Sequence, residues 1–205
     1  MKVHCISREN AVCRHLVQQQ HELRARVFSD RLGWDVDVVD GIERDRFDDL
    51  SPAYIVAVGE GRVVGCARLL PASGPTMVRD VFHMLLPESG LSSHGAMVES
   101  SRFCVDTTVD RPGAQGTIHT ITRTMFAGIL EWSLGHGYSE IVTVTDLRFE
   151  RLLAKAGWPL ARLAPPRRIG ETMAVAGTLA VNQNVFLRLC PDGYTSTIGT
   201  ARHAA

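Results

Sequence analysis

The segment AYIVAVGEGRVVGCARLL, residues 53–70, decides the fold because two apolar runs flank a tight turn. A Gly-Glu-Gly-Arg turn between runs rich in β-branched residues is a strong signal for a β-hairpin. Gly59, Gly61 and Gly65 follow the spacing G-x-G-x-x-x-G, which is one residue longer than the dinucleotide-binding fingerprint. That fingerprint also needs a helix after its turn, and here a strand follows. We therefore predict a hairpin without a dinucleotide site.

Helical and strand patterns alternate on both sides of this hairpin. Before it, apolar residues recur at helical spacing over 14–32, and Gly33 ends the run. After an irregular stretch at 71–96, the predicted elements are a strand at 97–105, a helix at 117–135, a strand at 139–146, a helix at 147–157, a strand at 171–181 and a short C-terminal helix. This order predicts one α/β domain over residues 1–205, an α/β/α sandwich in which helices flank a mixed central sheet.

The composition is that of an ordinary globular protein. Apolar residues make up 45% of the 205 residues and charged residues 21%, and a chain of this length buries roughly 70% of its unfolded surface. Lys plus Arg and Asp plus Glu balance at 22 each, whereas nucleic-acid binders normally carry a basic excess. We therefore expect no nucleic-acid partner.

Cysteine, histidine and hydropathy patterns argue against three further kinds of feature. The five cysteines form no C-x-x-C pair, which favours reduced thiols, and the eight histidines show no metal-ligand spacing. No apolar run approaches the roughly 20 residues that span a bilayer. The start MKVHCISREN lacks the apolar core of a signal peptide. We expect no metal, no membrane contact and a cytoplasmic location.

Charged residues inside predicted strands are the first candidates for chemistry. Glu99 and Arg102 interrupt the strand MVESSRFCV, where a charge is costly unless it is paired or faces a cleft. The two residues face opposite sides of a regular strand, but a β-bulge near Ser100 or Ser101 would bring both to one face. Either a buried ion pair braces the sheet, or a base and an anion-binding arginine line a cleft. Arg68, in the otherwise apolar VVGCARLL, presents the same two alternatives.

A stripe on the first predicted helix adds a second group of candidates. Arg24, Phe28 and Arg31 lie at i, i+4 and i+7, separate from the apolar stripe of that helix. Such arginines are by default a solvated face. A phenylalanine within the stripe, followed soon by Trp34, favours instead a face that covers something.

The acidic segment ERDRFDD, residues 43–49, provides the third group. Asp45 and Asp48 can lie near each other in a turn. A run of this kind is usually a solvated loop, but it can also hold a cationic small molecule. Together with the strand charges, these carboxylates predict a cleft for a small substrate that carries both positive and negative groups.

Four linked motifs, RARVFSDRLGW, ERDRFDD, GCARLLPASGPTM and VESSRFCVD, resemble in order and spacing those of the LuxI-type acyl-homoserine lactone synthases. The resemblance extends over about residues 20–160. It implies a fold of the GNAT N-acetyltransferase type and an enzyme that makes a quorum-sensing signal. Such an enzyme acylates the amine of S-adenosylmethionine (SAM) from acyl carrier protein, then closes the lactone and releases methylthioadenosine. SAM is then a substrate, and no cofactor is implied.

The resemblance also implies roles for individual residues. It implies contacts with SAM for residues of the first two motifs: Arg24, Phe28, Trp34, Asp45 and Asp48. It implies catalytic roles for the charged strand residues, with Glu99 as general base: Glu99, Arg102 and Arg68. The acyl chain is expected beside the strand SEIVTVTD, against Ser100, Phe103, Met125 and Thr143.

Two finer expectations concern the acyl donor and the acyl chain. The helix LRFERLLAKAG places Arg148, Arg151 and Lys155 on one face, which suits the acidic acyl carrier protein, although an ordinary solvated face has the same pattern. A threonine in the strand SEIVTVTD implies a medium-length chain with a 3-oxo group, read by Thr143. The alternative is that the hydroxyl of Thr143 bonds locally.

Two other functions remain open from the sequence. The first is a GNAT enzyme that acylates another amine from acyl-CoA. The corresponding pyrophosphate-loop pattern, Q/R-x-x-G-x-G/A, is not met in DRPGAQGT at 110–117, although Arg111, Gln115 and Gly116 are present. The second is a non-catalytic module that binds acyl carrier protein, against which the complete set of charged motif residues argues.

Overall fold

Strands and helices alternate along the chain of the computed structural model, which describes residues 1–9, 13–108 and 120–199. The strands in these residues are β1 (Lys2–Ile6), β2 (Val38–Val39), β3 (Ile42–Glu43), β4 (Ala53–Gly59), β5 (Arg62–Pro71), β6 (Met97–Val105), β7 (Glu140–Asp146), β8 (Ala161–Arg162), β9 (Arg167–Ile169) and β10 (Thr172–Ala180). The α-helices are α1 (Arg14–Arg24), α2 (Met77–Asp80), α3 (Thr120–Gly135), α4 (Leu147–Ala156) and α5 (Gln183–Leu189). A π-helix continues α1 over Ala25–Arg31, and 3-10 turns lie at Arg46–Asp49 and His83–Leu85.

One large sheet organises these elements. Its strand order is β1-β4-β5-β6-β7-β10-β8, and β9 also pairs with β10. Strands β6 and β7 are parallel, whereas the other pairs of this sheet are antiparallel. The mixed central sheet is therefore confirmed. So is the hairpin, whose turn residues Glu60 and Gly61 both have positive φ, as a two-residue connection between twisted strands requires.

The sheet opens between its two parallel strands. Residues Met97–Glu99 of β6 pair with Glu140–Val142 of β7, and the pairing stops there. Beyond that point β6 stays with β5 as far as Val105, and β7 stays with β10 as far as Asp146. A gap therefore begins in the middle of the sheet, directly after Glu99.

Helix α3 covers one face of the sheet and approaches it closely. Its inward side carries buried apolar residues at helical spacing: Ile121, Met125, Ile129 and Trp132. A Cβ atom at Gly128 would lie 2.6 Å from Val3 Cγ1 and 3.0 Å from Ile55 Cγ2. Any larger residue at this position would push the helix off β1 and β4. The predicted start of this helix, at 117–119, lies outside the described residues.

Helix α1 covers the opposite face, and its continuation differs from the prediction. The segment predicted as one helix over 14–32 is α-helical to Arg24 and then widens into the π-helix before ending at Gly33, φ +62°. Arg24 is buried, so the default expectation of a solvated face is wrong for this arginine, and Phe28 on the same stripe is buried as well. Arg31 is exposed and donates a hydrogen bond to Thr107 Oγ1 at 2.9 Å.

Strand β1 is absent from the predicted elements. It pairs with β4 over Lys2–Ile6, and on its other edge it contacts the C-terminal segment. There Val3 N donates to Thr195 O, and Thr197 N donates to Val3 O, both at 2.9 Å. The five residues KVHCI alternate too weakly to predict a strand, and it is this pairing on both edges that holds β1 in place.

Short helical turns interrupt the two segments predicted as irregular. The acidic segment contains the 3-10 turn Arg46–Asp49, and the stretch 71–96 contains α2. Thr76 caps α2 by accepting a hydrogen bond from Arg79 N at 3.3 Å. Both turns lie on the face of the sheet that α1 covers, and they place polar groups beside β5 and β6.

Candidate functional site

A β-bulge in β6 directs its charged residues to one face. The single residue Ala67 of β5 faces two residues of β6, Arg102 and Phe103. Arg102 has φ +53°, in the left-handed region that few residues other than glycine adopt. The predicted bulge is therefore confirmed, although it lies at Arg102, just after the predicted positions Ser100 and Ser101.

The two strand arginines meet on the α1 side of the sheet. Arg102 donates to Glu43 Oε1 at 3.0 and 3.1 Å and to Asp45 Oδ2 at 2.8 Å. Arg68 donates to Asp45 at 2.5 and 3.0 Å and to Asp48 Oδ1 at 2.9 Å. Asp45 thus bridges Arg68 and Arg102, whose side chains come from adjacent strands.

Arg24 joins the same group from α1. Its two Nη atoms donate to the two oxygens of Asp48, each at 2.9 Å, and its Nε donates to Glu43. The side chains of Arg24 and Glu43 are fully buried. Three arginines and three carboxylates therefore form one connected, electrically neutral network, which offsets the large cost of removing each charge from water. We call these six residues the charge network: Arg24, Glu43, Asp45, Asp48, Arg68 and Arg102.

Local hydrogen bonds place the two aspartates of the network. Phe47 N donates to Asp45 Oδ1 and Asp45 N donates to Asp48 Oδ2, each at 2.9 Å, which makes a reciprocal capping box at the start of the 3-10 turn. Tyr54 OH also donates to Asp48 Oδ1 at 2.8 Å. The predicted proximity of the two aspartates is confirmed, and the default expectation of a solvated loop is wrong for Asp48.

Glu43 is the network member that the sequence did not reveal. It is fully buried at the end of β3 and accepts from both Arg24 and Arg102. Its only signal in the sequence is that Glu43 and Asp45 alternate with larger residues in GIERDRF, so that both carboxylates can point the same way.

The arginines control the ionisation of Asp48. Burial alone raises the pKa of this carboxyl, but the hydrogen bonds and charge of Arg24, and then the charge of Arg68, outweigh burial and hold the pKa well below its usual range. The pKa of Asp45 is also lowered, because Arg68 and Arg102 more than offset its burial. Both aspartates therefore stay ionised at neutral pH.

Glu99 has a different environment. It is buried, and its oxygens accept from Met77 N at 3.0 Å and from Val78 N at 2.7 Å, at the start of α2. Burial raises the pKa of Glu99, and the two backbone N–H groups and the charge of Arg68 lower it by less. Glu99 is thus a carboxyl group of raised basicity, held by backbone donors beside the charge network.

An aromatic pair stands next to the network. Phe28 and Trp34 stack with ring centroids 5.1 Å apart and planes 6° apart. The guanidinium of Arg102 lies 5.7 Å from the centre of the Phe28 ring. Phe28 is buried and Trp34 is 41% exposed, so the pair forms a wall that extends from the charge network to the surface.

The opposite side of β6 lines a narrow cavity in the gap between β6 and β7. The cavity, of about 30 Å³, is lined by Ser100, Phe103, Phe126, Ile129, Ile141, Thr143, Phe149, Leu153, Trp158 and Leu179. Three of the four predicted acyl-chain residues therefore lie there. Met125 lies elsewhere in the core, where a Cβ at Gly65 would come within 2.9 Å of its Cγ. The inward side of α3 is divided between the core and the cavity, and Met125 belongs to the core part.

Thr143 makes the local bond that the sequence left as an alternative. Its Oγ1 donates to Ser100 O at 2.7 Å, which satisfies a carbonyl just beyond the last pair of β6 and β7. A hydroxyl has one proton to donate, so a 3-oxo group can receive it only if the bond to Ser100 breaks. The 3-oxo preference stays a prediction.

Helix α4 separates a polar face from an apolar one, as predicted. Asp146 caps it by accepting from Phe149 N at 2.7 Å, and Gly157 ends it at φ +86°. Its three basic residues are exposed: Arg148, Arg151 and Lys155. On its other face Phe149 and Leu153 line the cavity, so the basic surface lies directly outside the cavity wall.

The sequence predicted no metal site, no membrane-spanning helix and no acyl-CoA loop pattern, and the described residues bear on the first two. Among residues 1–9, 13–108 and 120–199, no group of His, Cys, Asp and Glu side chains has the arrangement to hold a metal ion. In the same ranges no helix is both long and apolar enough to cross a membrane. Arg111, Gln115 and Gly116, which bear on the acyl-CoA alternative, lie outside the described residues.

Comparison with known proteins identifies the family. The family model described as "Autoinducer synthase" matches residues 8–189. This chain belongs to the autoinducer synthase family. A probable acyl-homoserine-lactone synthase of Sinorhizobium fredii is 62% identical to this autoinducer synthase over 184 residues, which cover 89% of this chain and 88% of that protein.

Solved structures of autoinducer synthases have the same fold. The AHL synthase LasI is 32% identical, with a TM-score of 0.80 over 94% of this chain and 95% of that chain. TofI, in a ternary complex with an inhibitor and MTA, is 26% identical, with a TM-score of 0.78 over 94% of this chain and 98% of that chain. The GNAT-like fold that the resemblance implied is therefore confirmed for this autoinducer synthase.

Proposed function

We propose that this autoinducer synthase acylates the amine of SAM from an acyl thioester, then closes the homoserine lactone and releases methylthioadenosine (MTA). One observation carries the proposal: the two faces of β6 differ in chemistry, one charged and one apolar. Glu99 and Arg102 belong to its charged face, whereas Ser100 and Phe103 line the apolar cavity. An amine bound on one side and an acyl chain on the other therefore meet at this strand. Family membership and the MTA in the TofI complex support the same reaction.

Burial divides the charge network into supporting and substrate-contacting residues. The side chains of Arg24 and Asp48 are at most 1% exposed, so we assign them to holding the site in shape. Arg68 is equally buried, and its Nη2 donates to the sulfur of Met77. Asp45 and Arg102, at 16% and 13%, reach the surface of the cleft. We assign both to direct contact with the charged groups of SAM, because a carboxylate suits its cationic groups and an arginine suits its carboxylate.

The aromatic pair suits the remaining part of SAM. Trp34 presents its exposed side beside the stacked, buried Phe28. A flat aromatic wall binds a flat purine base or a sulfonium cation through its face. We assign the pair to covering SAM in the cleft.

Glu99 is the residue we assign to proton removal. The amine of SAM must lose a proton to attack the thioester carbonyl, and a positioned base contributes about 10²–10⁴ in rate. Its raised pKa suits this role, and each of its oxygens keeps a second acceptor site beyond the backbone bond. In the second step the methionyl carboxylate attacks its own γ-carbon, and the carbon–sulfur bond breaks, with the electron pair leaving on MTA.

The acyl donor we propose is acyl carrier protein. The exposed basic face of α4 lies outside the cavity wall that Phe149 and Leu153 form, so an acidic protein bound there can deliver its acyl chain directly. The departure of residues 110–117 from the acyl-CoA loop pattern supports the same choice. We infer also that residues 1–205 act as one domain in the cytoplasm.

Product analysis tests these assignments. The purified protein is incubated with SAM and either acyl carrier protein or CoA carrying the same acyl group, and mass spectrometry follows lactone and MTA. We expect equal amounts of both products, formed faster with acyl carrier protein. Lactone and MTA formed with acyl-CoA but not with acyl carrier protein would overturn the choice of donor and still support the synthase reaction. Acylation of another amine without MTA would favour the GNAT alternative, and no product with either donor would favour a binding module.

A further inference from the structure

Two arginine N–H groups of the charge network donate hydrogen bonds to a sulfur atom instead of an oxygen atom. Arg68 Nη2 donates to Met77 Sδ at 3.1 Å, and Arg102 Nη1 donates to the same sulfur at 3.3 Å. The other hydrogen bonds described for these two guanidinium groups go to Ser101 and to network carboxylates. The contacts to Met77 are therefore the exception in an otherwise oxygen-bound network.

A thioether is a poor partner for two cationic donors. Its sulfur is a weak acceptor, whereas a carboxylate oxygen forms short, charge-assisted bonds with arginine. Two donors from adjacent strands that converge on one point have the geometry to receive the two oxygens, or one oxygen, of a carboxylate. A carboxylate competing with Met77 for this point would replace two weak bonds with two strong ones.

The side chain of Met77 can leave this point without moving the backbone. Met77 begins α2, and its backbone N is held by Glu99 Oε2 at 3.0 Å. Its side chain has three rotatable bonds and packs in a small apolar cluster with Phe47 and Leu70. A change of side-chain rotamer is therefore enough to release both arginine donors, and Glu99 keeps α2 in place.

We propose that Met77 is a displaceable side chain that occupies the carboxylate subsite of SAM, formed by Arg68 Nη2 and Arg102 Nη1, and yields it when SAM binds. This inference rests on the proposed function. Met77 also shows why the subsite suits SAM: one residue reaches Glu99 with its backbone and both arginines with its side chain. A carboxylate bound to the arginines thus places the neighbouring amine near Glu99.

The exchange also fits the second step of the reaction. When the carboxylate of the acylated intermediate attacks the γ-carbon, its oxygen forms the ester bond of the lactone and loses its negative charge. The arginine donors then bind a neutral ester weakly, and their hydrogen bonds to the sulfur of Met77 form again. The same side chain that yields to the substrate therefore favours release of the product.

The test compares SAM with MTA, which lacks the carboxylate together with the amine and the sulfonium charge, in the variants Met77→Gln and Met77→Leu. Glutamine has the length of methionine and presents a strong amide acceptor, so it competes with the carboxylate. We expect Met77→Gln to raise the Kd for SAM roughly tenfold, equivalent to about 1.4 kcal/mol, and to leave the Kd for MTA within about twofold. Met77→Leu removes the acceptor and should bind SAM at least as tightly as the unmodified protein.

Calorimetry measures both ligands on each variant, with the exposed Met84→Gln as the control for adding a glutamine. Equal weakening of SAM and MTA by Met77→Gln would overturn the proposal, because the loss would not depend on the carboxylate. Weaker SAM binding by Met77→Leu, with MTA unchanged, would overturn it as well. If the unmodified protein binds MTA and forms lactone, either result rejects the role of Met77 alone. If the unmodified protein binds neither ligand and forms no lactone, both the proposed function and the role of Met77 are rejected.

Discussion

Among single residues, Glu99 gives the sharpest prediction because its carboxylate serves both the proposed chemistry and the start of α2. Glu99→Gln keeps the shape of the side chain and removes the base. We expect turnover to fall by about 10²-fold or more and the Kd for SAM to change little. Steady-state kinetics and calorimetry measure the two quantities.

The same substitution replaces one side-chain oxygen that accepts from a backbone N–H with an amide donor, which costs about 1 kcal/mol of stability. Turnover is therefore corrected for the folded fraction, measured by denaturant unfolding. Unchanged turnover after this correction would show that Glu99 is not the base and would leave it the role of anchoring Met77 N and Val78 N.

Glu43 tests whether the charge network is needed as a whole. Glu43→Gln removes a fully buried negative charge that Arg24 and Arg102 share, so that each keeps only its aspartate partner, Asp48 or Asp45. Breaking a buried ion pair from one side costs about 3–5 kcal/mol, so we expect a loss of about 3 kcal/mol in the free energy of unfolding. Urea unfolding measures it, with Glu60→Gln in the exposed hairpin turn as the matched control. A loss no larger than that of the control would mean that the network tolerates the removal of one carboxylate charge.

At the scale of elements, helix α4 makes a prediction about the acyl donor. Reversing Arg151 and Lys155 to glutamate should slow the reaction with acyl carrier protein by about tenfold at low salt and leave small acyl thioesters unaffected. The reason is that exposed charges act mainly on the rate of association with an oppositely charged protein. The difference should shrink at high salt, because screening removes it.

The control for this pair reverses two exposed basic residues elsewhere. Lys2 lies on β1 at the far edge of the sheet, and Arg14 begins α1, so reversing both changes the net charge equally. Initial rates measured with acyl carrier protein and with a small acyl thioester distinguish the outcomes. Equal slowing by the two double variants would point to net charge alone, and equal slowing with both donor types would remove α4 as a docking site.

The elements also show what the sequence could and could not predict. The hairpin, the strand at 97–105 and the bulge in it follow from alternation and turn residues, which are local signals. The contact between Arg102 and Glu43 joins residues 59 positions apart, so no local pattern contains it. The contacts of the Met77 sulfur with Arg68 and Arg102 are equally invisible in the sequence, where methionine counts as an apolar residue. Polar candidates were therefore predictable one by one, whereas their partners needed the fold.

For the molecule as a whole, two groups of carboxyls give opposite dependences of stability on pH. The lowered pKa values of Asp45 and Asp48 mean that their contribution is present above the ordinary value of 3.8 and is lost as the pH falls. The raised pKa of Glu99 means that its contribution is present below the ordinary value of 4.5 and is lost as the pH rises through the raised value. Stability should therefore drop below about pH 4, and ionisation of Glu99 should reduce it at higher pH.

Denaturant unfolding between pH 3 and pH 8 measures both effects. Glu99→Gln removes the second effect, so its stability relative to the unmodified protein should increase from pH 4 to pH 8. Parallel stability curves for the two proteins would show that Glu99 has the same pKa folded and unfolded. A flat curve below pH 4 would contradict the depressed pKa values of the two aspartates.

The pairing of Val3 with Thr195 and Thr197 has a consequence for solubility. An unpaired strand at the border of a sheet is a template for another chain, and β1 would be such a border if the segment after Cys190 did not cover it. A protein shortened at Cys190 would keep the residues of the charge network and the cavity but expose the outer edge of β1, including Val3 N and Val3 O, to solvent. We expect it to self-associate edge to edge, detected as rising light scattering, while a freshly diluted sample still binds MTA.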